Sequence, residues 1–224
     1  TASGAKSGAY SGTFDGTDDF VNVPHNSNLN PTINNPYTCE FWLYFSSLPS
    51  TWKDIVQKNI GTGNIDGFYI RTNNASGMDF GYVTTTRNGG LGITYANLGI
   101  SANNWYHIAF AVDGTNSYVY VDGILRGQLT LTVGSYSGTN TNALTIGGSA
   151  WDGYSPVRID EVAIYNRSLP VSEIREHYNA RNEVWFKTHS AINASSTSEA
   201  TGQHSYYLYY NNPSAGTAIE NKRN

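Results

Sequence analysis

The sequence predicts an all-β sandwich with one short helix towards its C-terminal end and a strand-rich tail. Three observations carry this expectation. Apolar and aromatic side chains alternate with period two in several stretches, the spacing of a strand with two distinct faces. Turn signals separate these stretches, among them Asp113-Gly114, Asn116-Ser117 and Asp122-Gly123. The composition, with 5 Trp and 17 Tyr beside 23 Gly, favours strands and the turns between them.

Taken in order, residues 39–45 (CEFWLYF) place Cys39, Phe41, Leu43 and Phe45 on one face and Glu40, Trp42 and Tyr44 on the other. Apolar capacity on both faces predicts an inner strand. Further strands are expected at 68–72 and 78–84. Residues 105–112 (WYHIAFAV) repeat the alternation, with Tyr106, Ile108, Phe110 and Val112 together. His107 shares the opposite face with Trp105 and Ala109 and reads as a packed structural histidine. SYVYV, a turn at Asp122-Gly123 and ILRG then predict a hairpin, followed by strands at 144–147 and 157–165. Residues 170–180 (PVSEIREHYNA) form the helix: Pro170 suits a first helical position, and Val171, Ile174 and Tyr178 make one stripe that should pack against the sandwich edge.

After Arg181 the character changes. EVWFKT and HSYYLYYNN read as two strands around a polar, small-residue stretch, and two strands alone cannot bury a core. The expected division is therefore a main domain over 1–182 and an incomplete β-rich tail over 183–224. The tail strand carries apolar capacity on both faces and no charge. Such an edge recruits a partner strand, so Trp185, Tyr207, Leu208 and Tyr209 are expected to serve assembly with a neighbouring chain or domain.

Charge and composition narrow the function. With 17 acidic and 13 basic side chains the formal charge is −4, which argues against nucleic acid as a partner. Charged residues make up 13% of the chain, about half of the roughly 25% usual for soluble domains. A polar, mostly uncharged, aromatic-rich surface suits an extracellular or cell-surface β-domain. The single cysteine, Cys39, allows no intrachain disulfide. No apolar run has the length of a spanning helix, and TASGAKSGAY lacks a charged-then-apolar leader pattern, so no membrane insertion by this chain is expected.

Four stretches together carry a family resemblance: GTFDGTDDFVNV (12–23), YTCEFWLY (37–44), WYHIAFAVDGTNSYVYVDGIL (105–125) and residues 144–178, which contain IGGSAWDG and RIDEVAIYNRSLPVSEIREHY. In order and spacing they resemble the laminin-G-like modules of the concanavalin A-like lectin/glucanase superfamily, over about residues 9–182. The resemblance implies a jelly-roll β-sandwich. The tail, EVWFKTHSAINASSTSEATGQHSYYLYYNNPSA, resembles the latter half of a β-domain of unknown function that accompanies such modules in microbial surface proteins. By that resemblance, either the chain is a piece of a longer protein or the missing strands come from another chain.

The resemblance also implies a structural Ca²⁺, with Asp160 and the Asp15-Gly16 turn as ligands and Asp18 or Asp19 as additions. Alternatively, Asp15 and Asp18 cap a turn and Asp160 pairs with Arg158 or Arg167. Catalysis has less support. Retaining glycosidases place two carboxyls about 5 Å apart, whereas Asp160 and Glu161, adjacent on one strand, should point to opposite faces. The five histidines show no metal-ligand spacing.

Sugar binding needs aromatic faces beside fixed polar groups. GSAWDGYSP supplies Trp151, Asp152 and Tyr154 at a turn, and Trp52, Asp66, and Arg87 with Asn88 are further candidates, whereas Trp42 and Trp105 are assigned to packing. Sequons at Asn74, Asn166 and Asn193 fit glycosylation of an exported protein. The expected function is a non-catalytic extracellular adhesion or binding module in a microbial surface protein, with a glycan or a cell-surface protein as partner. The alternative is a structural subunit that assembles a filament or layer through its tail strands, and a glycoside hydrolase follows behind.

Overall fold

The computed structural model describes residues 5–7, 10–30, 36–58, 67–83, 90–131, 140–150 and 152–179, together with strand positions 207–208 and 219–220. The strands are Gly12–Thr13 (β1), Val21–Val23 (β2), Tyr37–Phe45 (β3), Lys53–Gln57 (β4), Gly67–Asn73 (β5), Gly77–Val83 (β6) and Gly90–Thr94 (β7). They continue with Trp105–Val112 (β8), Asn116–Val121 (β9), Ile124–Thr130 (β10), Leu144–Ile146 (β11), Gly148–Ser149 (β12), Gly153–Tyr154 (β13) and Val157–Tyr165 (β14). Helices are Tyr95–Leu98 (α1) and Val171–Asn179 (α2). Chain contacts cluster into two units, Thr1–Glu183 and Val184–Asn224.

In the first unit two six-stranded antiparallel sheets form a sandwich, one in the order β1-β14-β3-β8-β9-β10 and the other β2-β11-β4-β5-β6-β7. Between them lies the main core. The first sheet contributes Cys39, Phe41, Leu43, Phe45, Ile108, Phe110 and Val112, and the second contributes Phe68, Ile70, Met78, Phe80 and Ile93. The alternation read in β3 and β8 thus becomes the inner face, and β3 is central, flanked by β14 and β8. Cys39 is buried there as a free thiol, and burial pushes its pKa up. The β9–β10 turn has Asp122 at φ 52° and Gly123 at φ 72°, the two positive values that a type I′ hairpin requires.

The helix packs on the outer face of the first sheet rather than on the sandwich edge. Ile174, fully buried, meets Ala109, Ala111, Tyr120 and Leu169, a burial worth about 2 kcal/mol. Val171, expected on the same stripe, is exposed, because α2 begins there with Pro170 as its cap: the Pro170 carbonyl accepts from Glu173 and Ile174. Beneath the helix sits Glu40, 4% exposed. Its Oε1 lies 2.8 Å from His177 Nδ1 and accepts from the Tyr165 hydroxyl at 2.9 Å, while Oε2 lies 3.7 Å from His107 Nε2. His107 packs edge-on against Trp42, and burial, then the nearby His177, pulls its pKa down to about 4.

In the first unit β1, β2, β4, β7, β12, β13 and α1 were not expected. In β14 the strict alternation fails at a bulge, where Asp160 pairs with Trp42 but Ala163 pairs with Glu40, and Glu161 takes φ 51°. In the second unit Tyr207–Leu208 (β15) pairs antiparallel with Ile219–Glu220 (β16). Trp185 and Tyr209 lie outside the described residues, as do residues 183–188. No helix among the described residues is long and apolar enough to cross a membrane.

Candidate binding site

The outer face of the second sheet carries an ordered set of polar and aromatic side chains. Register aligns Asp54, Arg71, Asp79 and Gly92 across β4, β5, β6 and β7. The next row is Gln57, Tyr69, Gly81 and Gly90. Three neighbouring strands thus present acid, base and acid side by side, the favourable cross-strand arrangement. The inner sides of the same strands hold Phe68, Ile70, Met78 and Phe80 in the core, which fixes which way Tyr69, Arg71 and Asp79 must face.

Arg71 is the centre. Its Nη2 donates to Asp79 Oδ2 at 3.2 Å and its Nη1 donates to Asp152 Oδ2. The guanidinium carbon lies 4.2 Å from the Trp52 ring centroid and 4.2 Å from that of Tyr69, a cation in contact with two aromatic rings. Burial alone would lower the Arg71 pKa, but the Asp152 hydrogen bond, Tyr69, and the Asp152 and Asp79 charges hold it above its ordinary value. Tyr69 comes close to the backbone because its neighbours across the ladder are glycines. A Cβ at Gly81 would lie 2.0 Å from its ring, and one at Gly90 would lie 2.5 Å from its hydroxyl.

Asp54 is 1% exposed and accepts from Gln57 Nε2 at 2.8 Å and from Ser149 Oγ. Burial pushes its pKa up to about 6. The Ser149 bond ties the β12–β13 hairpin over β4, and the same hairpin carries Asp152 to Arg71. Lys53 Nζ sits beside Gly153. Tyr154 packs 5.9 Å from the ring of Phe20, which is 45% exposed, and Trp52 is 37% exposed.

Trp52 and Asp152, expected separately, therefore meet on one guanidinium, and Tyr154 lies on the same hairpin. Trp151, Asp66, Arg87 and Asn88 lie outside the described residues. Asp54, Tyr69, Arg71 and Asp79 were not anticipated. A signal for them existed in FYIRT, where Tyr69 and Arg71 alternate with apolar neighbours and so share an outer face. Trp42 is buried on the outer face of the first sheet, and Trp105 packs 5.6 Å from Tyr44.

The implied calcium ligands do not converge. Pairing of Gly12 with Ile159 sets Asp160 opposite Ser11, so Asp15 lies four strand positions away, about 13 Å. Asp160 Oδ2 accepts from the backbone N–H groups of Lys6 (2.9 Å) and Ser7 (3.0 Å), and its Oδ1 accepts from Glu161 N–H. That carboxylate is a backbone acceptor, not a partner of Arg158 or Arg167: Arg158 lies over Tyr44 and Arg167 pairs with Glu173. Asp15 does gather with Asp18 and Asp19, all exposed, within 4.8 Å. Asp15 Oδ1 accepts from Thr17 N–H at 2.7 Å and Asp19 Oδ2 from Asp15 N–H at 3.2 Å, as turn-capping carboxylates do. Gly16, at φ 85°, makes that turn. Asp160 therefore does not join Asp15 in one site, while the Asp15, Asp18 and Asp19 carboxylates lie close enough together to hold a cation.

For acid–base chemistry the geometry is unfavourable. Asp54, with its raised pKa, is sealed beneath Gln57 and Ser149, and the other two carboxylates of the row share one guanidinium. Asp160 and Glu161 sit at the bulge, the first engaged with backbone and the second exposed. Asn74 is exposed in the β5–β6 turn and Asn166 is exposed just after β14, while Asn193 lies outside the described residues. A cavity of about 240 Å³ at the sandwich mouth, among Leu29, Tyr37, Phe68 and Ile164, involves none of the residues around Arg71.

A jelly-roll sandwich with a polar, aromatic outer sheet face defines the class, and residues 15–175 match the laminin-G-type family described as the concanavalin A-like lectin/glucanases superfamily. The chain belongs to that family. No sequence among the curated proteins matches it. Among solved structures it is similar to the receptor binding domain of the botulinum neurotoxin C/D mosaic serotype, with TM-score 0.64 and 15% identity over 78% of this chain and 43% of that one. The binding domain of botulinum neurotoxin DC, solved in complex with rat synaptotagmin II, gives TM-score 0.58 and 16% identity over 76% and 42%. A structure of botulinum neurotoxin type C, whose cell entry depends on interaction with two ganglioside molecules, gives 0.54 and 17% over 73% and 40%. The chain spans less than half the length of each.

Proposed function

We propose that this chain is a non-catalytic, extracellular or surface-exposed binding module that takes a glycan on the outer face of the second sheet. The observation that carries the reading is the row Asp54, Arg71 and Asp79 beneath Trp52 and Tyr69. Sugar recognition needs an aromatic surface for ring C–H groups and acceptors whose orientation is fixed before binding. Trp52 supplies the exposed aromatic surface, and Arg71 fixes the Asp79 and Asp152 carboxylates. Membership of a lectin/glucanase superfamily and the likeness to toxin binding domains support a binding role. Fold alone would not, because the same sandwich hosts unrelated functions.

The test is direct. Trp52→Ala is expected to weaken glycan binding by about 10- to 30-fold, the loss typical of a central aromatic anchor. Tyr118→Phe, on the first sheet, leaves it unchanged. Equal affinity of the Trp52→Ala variant and the unaltered chain would move the site elsewhere.

A further inference from the structure

We infer that the Arg71 face selects uncharged glycans and turns away sialylated or sulfated ones, a ligand class that rests on the glycan-binding reading above. An arginine on a lectin face is the usual means of holding a carboxylate or sulfate, through two parallel N–H donors. Arg71 is poorly placed to offer such a pair, because its side chain is only 14% exposed. One terminal nitrogen is committed to Asp152 and the other to Asp79, and Nε is buried. The guanidinium carbon also lies 4.2 Å from the ring centroids of both Trp52 and Tyr69. An incoming anion would have to compete with two aspartates for a guanidinium that is largely buried.

The local charge points the same way. Among the described residues, Arg71 and Lys53 are the cations around the site, against Asp54, Asp79 and Asp152. Asp54 belongs to the same row as Arg71, so its ionisation tips the face to a net negative charge. What the face offers outward is acceptor capacity: each of the Asp79 and Asp152 carboxylates keeps lone pairs beyond its bond to Arg71. Sugar hydroxyls donate to such groups, whereas carboxylates and sulfates cannot donate and are repelled.

The experiment uses the full chain on a glycan panel in matched pairs, each neutral oligosaccharide beside the same core capped with sialic acid or sulfate. The neutral member is expected to bind more tightly by about tenfold, with the gap narrowing in about 0.5 M NaCl as the repulsion is screened. Asp152→Asn, which releases one guanidinium edge and removes one negative charge, should raise the ratio of acidic to neutral binding by about threefold or more. Asp79→Asn serves the same purpose if the first variant folds poorly. Tighter binding of capped glycans, equal binding of both members, or a ratio that neither variant moves would overturn the selectivity while leaving glycan binding intact. A chain that binds neither member overturns the glycan reading and this inference with it.

Discussion

Replacing Gly81 by alanine should disturb the candidate site from beneath without altering any of its charged groups. A Cβ at this position would lie 2.0 Å from Tyr69 Cζ and 2.2 Å from Cε1, so the ring must lift away from the sheet and off the Arg71 guanidinium. In the next row, a Cβ at Gly92 meets only Asn73 Nδ2 and Asp79 Oδ1, both at 3.7 Å, which is ordinary contact. Alanine in a strand is favoured over glycine by about 0.5–1 kcal/mol, so Gly92→Ala should be neutral or slightly stabilising. For Gly81→Ala the same gain is set against an overpacking cost of about 1–3 kcal/mol. The expected net loss is about 1–2 kcal/mol, a fall of about 2–8 °C in Tm. Glycan affinity should fall with it. Gly90→Ala strikes the Tyr69 hydroxyl hardest, at 2.5 Å, with Asp79 Oδ1 at 3.0 Å and Oδ2 at 3.3 Å, so Tyr69→Phe should recover most of the loss in Gly90→Ala but not that in Gly81→Ala. Urea unfolding and thermal melting of these variants give the answer. Equal stability of the Gly81 and Gly92 variants, or rescue of both Gly81→Ala and Gly90→Ala by Tyr69→Phe, would refute the placement of the ring.

Two buried groups predict opposite pH dependences. His107, with its pKa pulled down to about 4, contributes stability that is present above pH 6.5 and is lost as pH falls through 4. Asp54, with its pKa raised to about 6, contributes stability that is present below 3.8 and is lost as pH rises through 6. Each is worth about 3 kcal/mol by linkage, so the intact chain should show little net change from these two between pH 6.5 and 4. Asp54→Asn should then lose stability on acidification over that window, and His107→Gln should gain it, as read from urea midpoints at each pH. Separately, Asp160→Ala removes the acceptor of the Lys6 and Ser7 N–H groups and should cost about 1–2 kcal/mol. The same loss should appear in EDTA and in calcium, and a melting shift on calcium addition that Asp160→Ala abolishes would overturn the account of that carboxylate.

The parts of the fold that were legible are those where burial and periodicity coincide. β3 and β8 alternate cleanly because one face fills the core, and the Asp122-Gly123 turn declares itself through residues that tolerate positive φ. β4 was not legible, since KDIVQ buries Asp54 and Gln57 on its outer side, under a hairpin contributed ninety residues later, in place of the apolar residues that mark a strand. β7, with two glycines in five residues, has no apolar period to read. The candidate site followed the same rule. Trp52 and Asp152 could be named singly from their turn contexts, but the guanidinium joining them lies on another strand, and only the β4–β5 register places it there. The bulge at Asp160 escaped notice because Glu161 adopts a backbone conformation that its residue type does not advertise.

The backbone anchoring of residues 6 and 7 on Asp160 has a consequence for how the domain meets its surroundings. Lys6 lies over Trp42, and α2 covers the neighbouring part of the same sheet face. Residues 6 and 7 and α2 thus lie over the outer face of the first sheet, and Arg71 lies on the outer face of the second. A partner that docks over Lys6 and α2 would therefore not compete with one that binds beside Arg71 and Trp52.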